Sequence, residues 1–426
     1  MRYPQLISKG AIIVNKIIQL LRKSKLLKRV REKTSETFIN TNINEITPFN
    51  PRLTTCSDKR LNLLVPSINQ EHMFGGIATA IKFFDKIAES GNFKKRIILT
   101  DAAPNSPDLA RFSEYSFLRP EEDDTSDMQI VPFNDRYNKT IPIGKNDYFL
   151  ATAWWTAYFV QRLSKWQSQE YNQPIKKLIY FIQDFEPGFY PWSSHYLLAE
   201  STYKYEGPQI AVFNTNLLKE FFNKEGYTFE HEYSFEPVLN ERLQHYIENE
   251  QTSIKKKKQI LIYGRPSVPR NAFTLIVEAL KIWVWKQSDV CEWSIISAGE
   301  KHPIIDIGNG LKIYSKGKMS IEEYAETLAE SSIGISLMVS PHPSYPPLEM
   351  ASFGMKVITN SFANKDLSKV HTNVCSLDVC TPDRLALEIF RMCNGMDIES
   401  VKINKGNSIK LNQFDFIDRL LCDCGL

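Results

Sequence analysis

The sequence lacks any run of eighteen uncharged apolar residues, so no segment reads as a membrane-spanning helix. It has no Gly-x-Gly-x-x-Gly and no Walker lysine motif. Neither a nicotinamide fingerprint nor an ATPase loop is therefore supported. Cysteine is sparse, with seven among 426 residues: Cys56, Cys291, Cys375, Cys380, Cys393, Cys422 and Cys424. The odd number and scattered contexts read as free thiols in a reducing compartment. Cys422 and Cys424 in LLCDCGL have no partner pair at finger-like spacing, so no metal site is expected. An excess of one charge is also missing, because the formal net charge is only +3. Ten Lys or Arg against the single acid Glu32 lie within residues 1–34, which leaves about −6 for the remainder. That balance argues against a broad nucleic-acid surface.

What is present is apolar: 42% of residues are hydrophobic and 12% aromatic, enough for more than one core. The opening segment GAIIVNKIIQLLRKSKLLKRV is interrupted by Lys and Arg and does not read as an export signal. Its apolar residues recur at helical spacing with a basic opposite side. Over residues 8–32 this predicts a basic amphipathic helix, either at an anionic membrane interface or packed on protein.

A polar connector then leads to LNLLVP at 61–66, a buried strand, followed by a glycine loop and the helical spacing of Ile77, Ala80, Ile81, Phe84 and Ile87. RIILT, DYFLA, KKLIYFI and QIAVFN repeat the strand-to-helix pattern. No pair of apolar runs joined by Asn-Gly appears, so the grammar is that of a parallel, doubly wound α/β domain. The charged stretch from Glu232 to Lys258 has little strand character and reads as a boundary. A second series follows in QILIYG, SIISAGE, LKIYS, SIGISLMVS and KVITN, with Ser320 and Glu323 as a capping box. The expected layout is a helix and connector over 1–57, an α/β domain over 58–240, a second over 255–400 and a helical tail over 401–426 that packs back towards the first domain. Ligands are expected at the loops after strands, in the cleft between the domains.

Several residues could carry chemistry there. Gly75 and Gly76 follow the first strand and read either as a plain turn or as a close backbone approach to phosphate or sugar oxygens. Arg265 follows a strand directly, and Lys318 lies in an equivalent loop. Each serves either a diphosphate or a surface ion pair, and together they could balance a pyrophosphate without a metal. Glu349 follows Pro346 and Pro347 at a helix start, where it either caps the helix or accepts hydrogen bonds from ribose hydroxyls. Gln183, Asp184 and Glu186 close a buried strand. Asp184 could orient an acceptor hydroxyl or take its proton, and His72 beside the glycine pair competes for that role.

The stretch PHPSYPPLEMASFGMKVITN resembles the signature segment of retaining glycosyltransferases with two Rossmann-like domains, the GT-B class, and GGIATA and GKMSIEEYAE strengthen the likeness. LNLLVP, YFIQDFEPGFYPWSSHY and YGRPSVPRNAF resemble the bacterial rhamnosyltransferases that use dTDP-rhamnose to build surface glycans. The resemblance implies a GT-B fold and a dTDP-sugar held by the second domain, with Arg265 and Lys318 at the diphosphate and Glu349 at the ribose. Tyr180, Gln183 and Asp184 would face the donor sugar or acceptor, and Gly75 and Gly76 would lie near the transferred residue. No metal is implied. The acceptor would be an oligosaccharide or lipid-linked glycan at the cytoplasmic face of a bacterial membrane. The chain departs from the pattern at Pro341, where the first of two glutamates would stand, and His342 is the nearest substitute. A UDP- or GDP-sugar transferase and a non-catalytic scaffold of glycan assembly are the alternatives.

Overall fold

A computed structural model describes residues 42–69, 75–105, 110–123, 125–236, 238–249, 256–395 and 413–426. The expected basic helix over 8–32 and His72 lie outside the described residues. Residues 42–47 belong to a unit of their own, a short turn closed by the Thr47 N–H donating to the Asn44 carbonyl at 3.1 Å. Pro48–Leu426 form the second unit, which holds two large sheets and a separate two-stranded one.

Its first lobe contains β1 (Asn50–Arg52), β2 (Arg60–Val65), β3 (Lys94–Leu99), β4 (Ser116–Phe117), β5 (Met128–Pro132), β6 (Thr140–Pro142), β7 (Asp147–Ala151), β8 (Leu178–Ile182), β9 (Gln209–Asn214) and β10 (His231–Phe235). β1 and β6 pair with each other, and the other eight form one parallel sheet in the order β10-β9-β8-β7-β2-β3-β5-β4. The central strands are buried on both faces, which is why they appear in the sequence as continuous apolar runs. Helix α1 (Gly75–Ser90) covers one face through Ala80, Phe83, Phe84 and Ile87. Helices α2 (Trp154–Glu170), α3 (Ser194–Tyr203) and α4 (Asn216–Lys224) cover the other. Phe49 already packs on Phe133 and Phe159, so the lobe's core begins ahead of residue 58.

The stretch expected to be a low-structure boundary instead carries the edge strand β10 and helix α5 (Glu241–Asn249). β10, with the sequence HEYSF, is only partly buried along most of its length. An edge strand needs no apolar run, so its polar residues hid it.

The second lobe holds β11 (Lys257–Gly264), β12 (Ser294–Gly299), β13 (Ile305–Gly308), β14 (Leu311–Gly317), β15 (Ser331–Ile335), β16 (Lys356–Asn360) and β17 (Val374–Leu377), in the order β13-β14-β12-β11-β15-β16-β17. Helices α6 (Phe273–Trp283), α7 (Ile321–Glu330), α8 (Pro346–Ser352) and α9 (Pro382–Asn394) flank it. The Ser320 hydroxyl accepts from the Glu323 N–H at 3.1 Å and the Glu323 carboxylate accepts from the Ser320 N–H, so the capping box forms.

The sheet is parallel except at one edge, where β13 and β14 make an antiparallel hairpin. Asn309 (φ 50°) and Gly310 (φ 78°) form its turn, both left-handed as a two-residue hairpin loop of this kind demands. The expectation that no Asn-Gly hairpin occurs is thus corrected. Its first arm, IDIG, is too short to register as an apolar run.

After the second lobe, residues 413–426 return to the first. Phe414, Phe416, Ile417, Leu420 and Leu421, partly on helix α10 (Ile417–Asp423), join the core formed by α1 and β2. Asp423 accepts from the Tyr233 hydroxyl and lies 3.1 Å from His231 Nδ1, which fixes the segment to β10.

Candidate active site

Parallel strands that leave the same sheet edge deliver their following loops to one surface. In the second lobe the adjacent strands β14, β12, β11 and β15 bring Lys318, Glu300, Arg265 and the loop 336–345 to one such edge. Lys318 is exposed and follows Gly317, whose φ of 69° turns the chain out of β14. The Glu300 carboxylate accepts from the Ser267 N–H at 3.0 Å and from its hydroxyl at 2.8 Å, and so fixes the loop that starts at Arg265. Gly299 (φ 123°) leaves room there. A Cβ on it would fall 2.9 Å from the Gly264 carbonyl and 3.2 Å from Arg265 Cγ.

Glu349 stands in the first turn of α8, where the two prolines need no N–H partner. Its carboxylate accepts from the Tyr324 hydroxyl at 3.0 Å. Burial raises its pKa to about 7, with the Tyr324 hydrogen bond acting in the opposite direction. Tyr263 hydrogen-bonds with Arg265, and the charges of Glu349 and Arg270 act on it from further away. Burial raises its pKa, and the two arginines oppose that rise.

The first lobe faces this edge with the end of β8. Asp184 accepts from the Phe185 N–H at 2.8 Å and, on the same oxygen, from the Ser340 hydroxyl of the opposite lobe. Its other oxygen lies 3.9 Å from Arg270 Nε, and the Arg270 guanidinium stacks 3.9 Å over the Phe189 ring. Two further bonds cross between the lobes. Tyr345 donates to Asn214 Oδ1 at 3.2 Å, and Asn364 donates to the Leu217 carbonyl at 2.8 Å. Glu186 is buried behind Asp184, and burial, with a contribution from the Asp184 charge, raises its pKa to about 8.

Gln183 and Gly76 also meet. A Cβ on Gly76 would fall 1.8 Å from Gln183 Oε1, so a side chain there would displace the amide. Gly75 is the first residue of α1. Tyr180 is placed differently from the cleft-facing position expected of it. It is fully buried, stacked on Tyr203, and its hydroxyl donates to Glu186 at 3.3 Å. Side chains alternate along a strand, and this one points into the lobe's core.

The loop 336–345 supplies residues that the sequence did not single out as a cluster. The Lys365 ammonium donates to the Met338 carbonyl at 2.6 Å, and the Asn360 side chain both accepts from the Met338 N–H and donates to its carbonyl. Burial lowers the Lys365 pKa to about 8. Pro341 and His342 are buried in this loop. Among the described residues no group of three or more His, Cys, Asp or Glu converges as a metal-ion cage.

Two facing α/β lobes whose strand-end loops meet at a common junction have the architecture of the GT-B class. Solved structures of that architecture are similar over most of the chain. Sucrose-phosphate synthase from Thermosynechococcus elongatus matches with a TM-score of 0.53 at 10% identity, over 85% of this chain and 97% of that one. The trehalose-6-phosphate synthase OtsA also matches with a TM-score of 0.53 at 10% identity, over 86% and 99%. At these identities the likeness is one of fold. The family is given by sequence. The WsaF N-terminal domain matches residues 60–216 and the WsaF C-terminal domain residues 258–390, and the chain belongs to the WsaF family. The O-antigen biosynthesis protein RfbC of Myxococcus xanthus is 30% identical over 241 residues, 55% of this chain. The match spans only 17% of that longer relative.

Proposed function

We propose that the protein transfers L-rhamnose from dTDP-L-rhamnose to a hydroxyl of a growing cell-surface glycan, with retention of configuration. The observation that carries this reading is Asp184 at the end of β8, set against Ser340 and Arg270 of the opposite lobe, at the edge where the loops after β11, β14 and β15 emerge. Arg265 and Lys318 would stabilise the charge that develops on the leaving diphosphate, which would make a metal unnecessary. Glu349 would accept from the nucleoside sugar, and Asp184, with Gln183 beside Gly76, would orient the acceptor hydroxyl. The bond from the anomeric carbon to the diphosphate oxygen breaks as the bond to the acceptor oxygen forms, and the acceptor's proton passes to a diphosphate oxygen. The lobes hold the acceptor hydroxyl and the leaving diphosphate on the same face of the sugar, as retention requires, so orientation supplies much of the rate. The name of the M. xanthus relative points to a surface polysaccharide as the kind of acceptor. On this reading residues 8–32 keep the enzyme at the inner face of the cytoplasmic membrane, where lipid-linked acceptors lie.

Calorimetric titration with dTDP, UDP and GDP, without metal and then with magnesium, tests the reading. Metal-free binding selective for dTDP and lost in Glu349→Ala is expected. A preference for UDP or GDP would keep the transferase and overturn the rhamnose donor. Binding of none of the three would favour a scaffold of glycan assembly.

A further inference from the structure

Helices α7 and α8 of the second lobe are tied together twice. In their first turns the Tyr324 hydroxyl of α7 donates to the Glu349 carboxylate of α8 at 3.0 Å. Further along, the Lys256 side chain donates from one nitrogen to the Leu328 carbonyl at 3.0 Å and to the Phe353 carbonyl at 2.8 Å. Leu328 follows Tyr324 by four residues, and Phe353 follows Glu349 by four, with the Phe353 N–H donating to the Glu349 carbonyl. The two ties are therefore successive rungs, about one helical turn apart.

Lysine is almost never buried without a partner, yet Lys256 is only 3% exposed. What it meets is the end of each helix. Leu328 is among the last four residues of α7 and Phe353 directly follows α8, where carbonyls lack a partner within their own helix and form the negative end of its dipole. Burial lowers the Lys256 pKa to about 7, but a neutral amine keeps two N–H groups for the two carbonyls, so the tie survives loss of the proton. An apolar side chain of the same length would fill the space and leave both carbonyls unpaired. What lysine adds is a fixed relation between the two helix ends.

That relation bears on Glu349. α8 has only seven residues, about two turns, so its direction depends on what holds it rather than on its own helical stability. Lys256 also directly precedes β11, the strand that leads into Arg265, so both helices are referred to the same strand. We infer that Lys256 is a positioning residue of the nucleotide site, which directs the Glu349 carboxylate by tying the ends of α7 and α8 and does not itself touch the ligand. This rests on the placement of Glu349 at the nucleoside proposed above.

Calorimetric titration with dTDP on Lys256→Met, Glu349→Gln and the double variant tests it as a cycle. Methionine keeps the length and removes the donors. Lys256→Met should weaken dTDP about three- to tenfold in the wild-type background and less than about twofold in Glu349→Gln, while turnover at saturating donor changes less than about twofold. A lysine that serves stability alone would lower the unfolding temperature and leave the affinity of the folded protein unchanged, and that result overturns the inference. Equal weakening in both backgrounds overturns it too, because Lys256 would then act without Glu349. If Lys256→Met does not fold, hydrogen exchange on Tyr324→Phe decides. That variant lacks the first tie, so saturating dTDP should slow exchange over 328–331 together with 353–355, the two segments that Lys256 joins. Slowing confined to 353–355 overturns the inference. Failure of wild type to bind dTDP, or unchanged affinity in Glu349→Gln, would instead overturn the nucleotide reading of Glu349, before Lys256 is considered.

Discussion

A carboxyl group buried before its ligand arrives carries only part of its charge at neutral pH, and Glu349 is such a group, with a pKa raised to about 7. If it accepts a hydroxyl hydrogen from the nucleoside, the ionised form binds better. Affinity for dTDP should then rise with pH from about 5.5, by up to tenfold per unit well below the pKa, and level off above about 7. Titration calorimetry across pH 5.5 to 8.5 measures this. Glu349→Gln should bind more weakly and show no such slope, and an equally steep slope in that variant would remove Glu349 from the nucleotide site. The stability effect has the opposite sense. Between the ordinary 4.5 and about 7 the native protein holds a proton that the unfolded chain has released, so this group's contribution is fully present below 4.5 and is lost as pH rises through 7. Urea unfolding of wild type and Glu349→Gln at pH 5 and 7.5 should show the two converging at the lower pH.

At the scale of elements, the site is assembled from strand ends, and that explains what the sequence disclosed. Strands β2, β8, β9, β11 and β15 are buried on both faces, so each appears as an apolar run followed by its loop, and Asp184, Arg265 and Glu349 are legible by position alone. The pairing of Asp184 with Ser340 spans 156 positions and left no local signal. Lys365 looks like an ordinary surface lysine until its burial is seen. Tyr180 was misplaced for a different reason, since an unbroken apolar strand hides which face each residue takes. The Asp184 contacts set an expectation for this element. Asp184→Asn keeps shape and the Ser340 hydrogen bond but removes the charge beside Arg270. Turnover should fall by about 10²-fold or more while dTDP affinity stays close to wild type, because the proposed nucleotide contacts lie on the other lobe. Single-turnover transfer and calorimetry on the same preparation separate the two effects, and parallel loss of both would place Asp184 in lobe closure rather than at the acceptor.

At the scale of the molecule, the chain crosses from the first lobe to the second and then comes back. The returning segment is part of the first lobe's core: Phe414 packs 5.0 Å from both Phe83 and Phe235, and Phe416 stacks on Tyr233 at 4.8 Å. The tail is expected from the sequence to pack towards the first domain, but FDFIDRLL does not reveal that α1 and β10 receive it, because both lie far upstream. A lobe whose core depends on residues from beyond the other lobe cannot complete itself alone. Phe414→Ala should therefore destabilise the first lobe by about 3–5 kcal/mol, the cost of emptying a buried aromatic site. Denaturant unfolding followed by tryptophan fluorescence reads this directly, since Trp154, Trp155 and Trp166 report on the first lobe and Trp283 and Trp293 on the second. If the two lobes unfold as one, the whole transition shifts, and the returning segment couples the core of one lobe to the stability of the other. If they unfold separately, only the first-lobe transition moves. An unchanged transition would mean that the contacts of Phe414 with Phe83 and Phe235 contribute nothing to the fold.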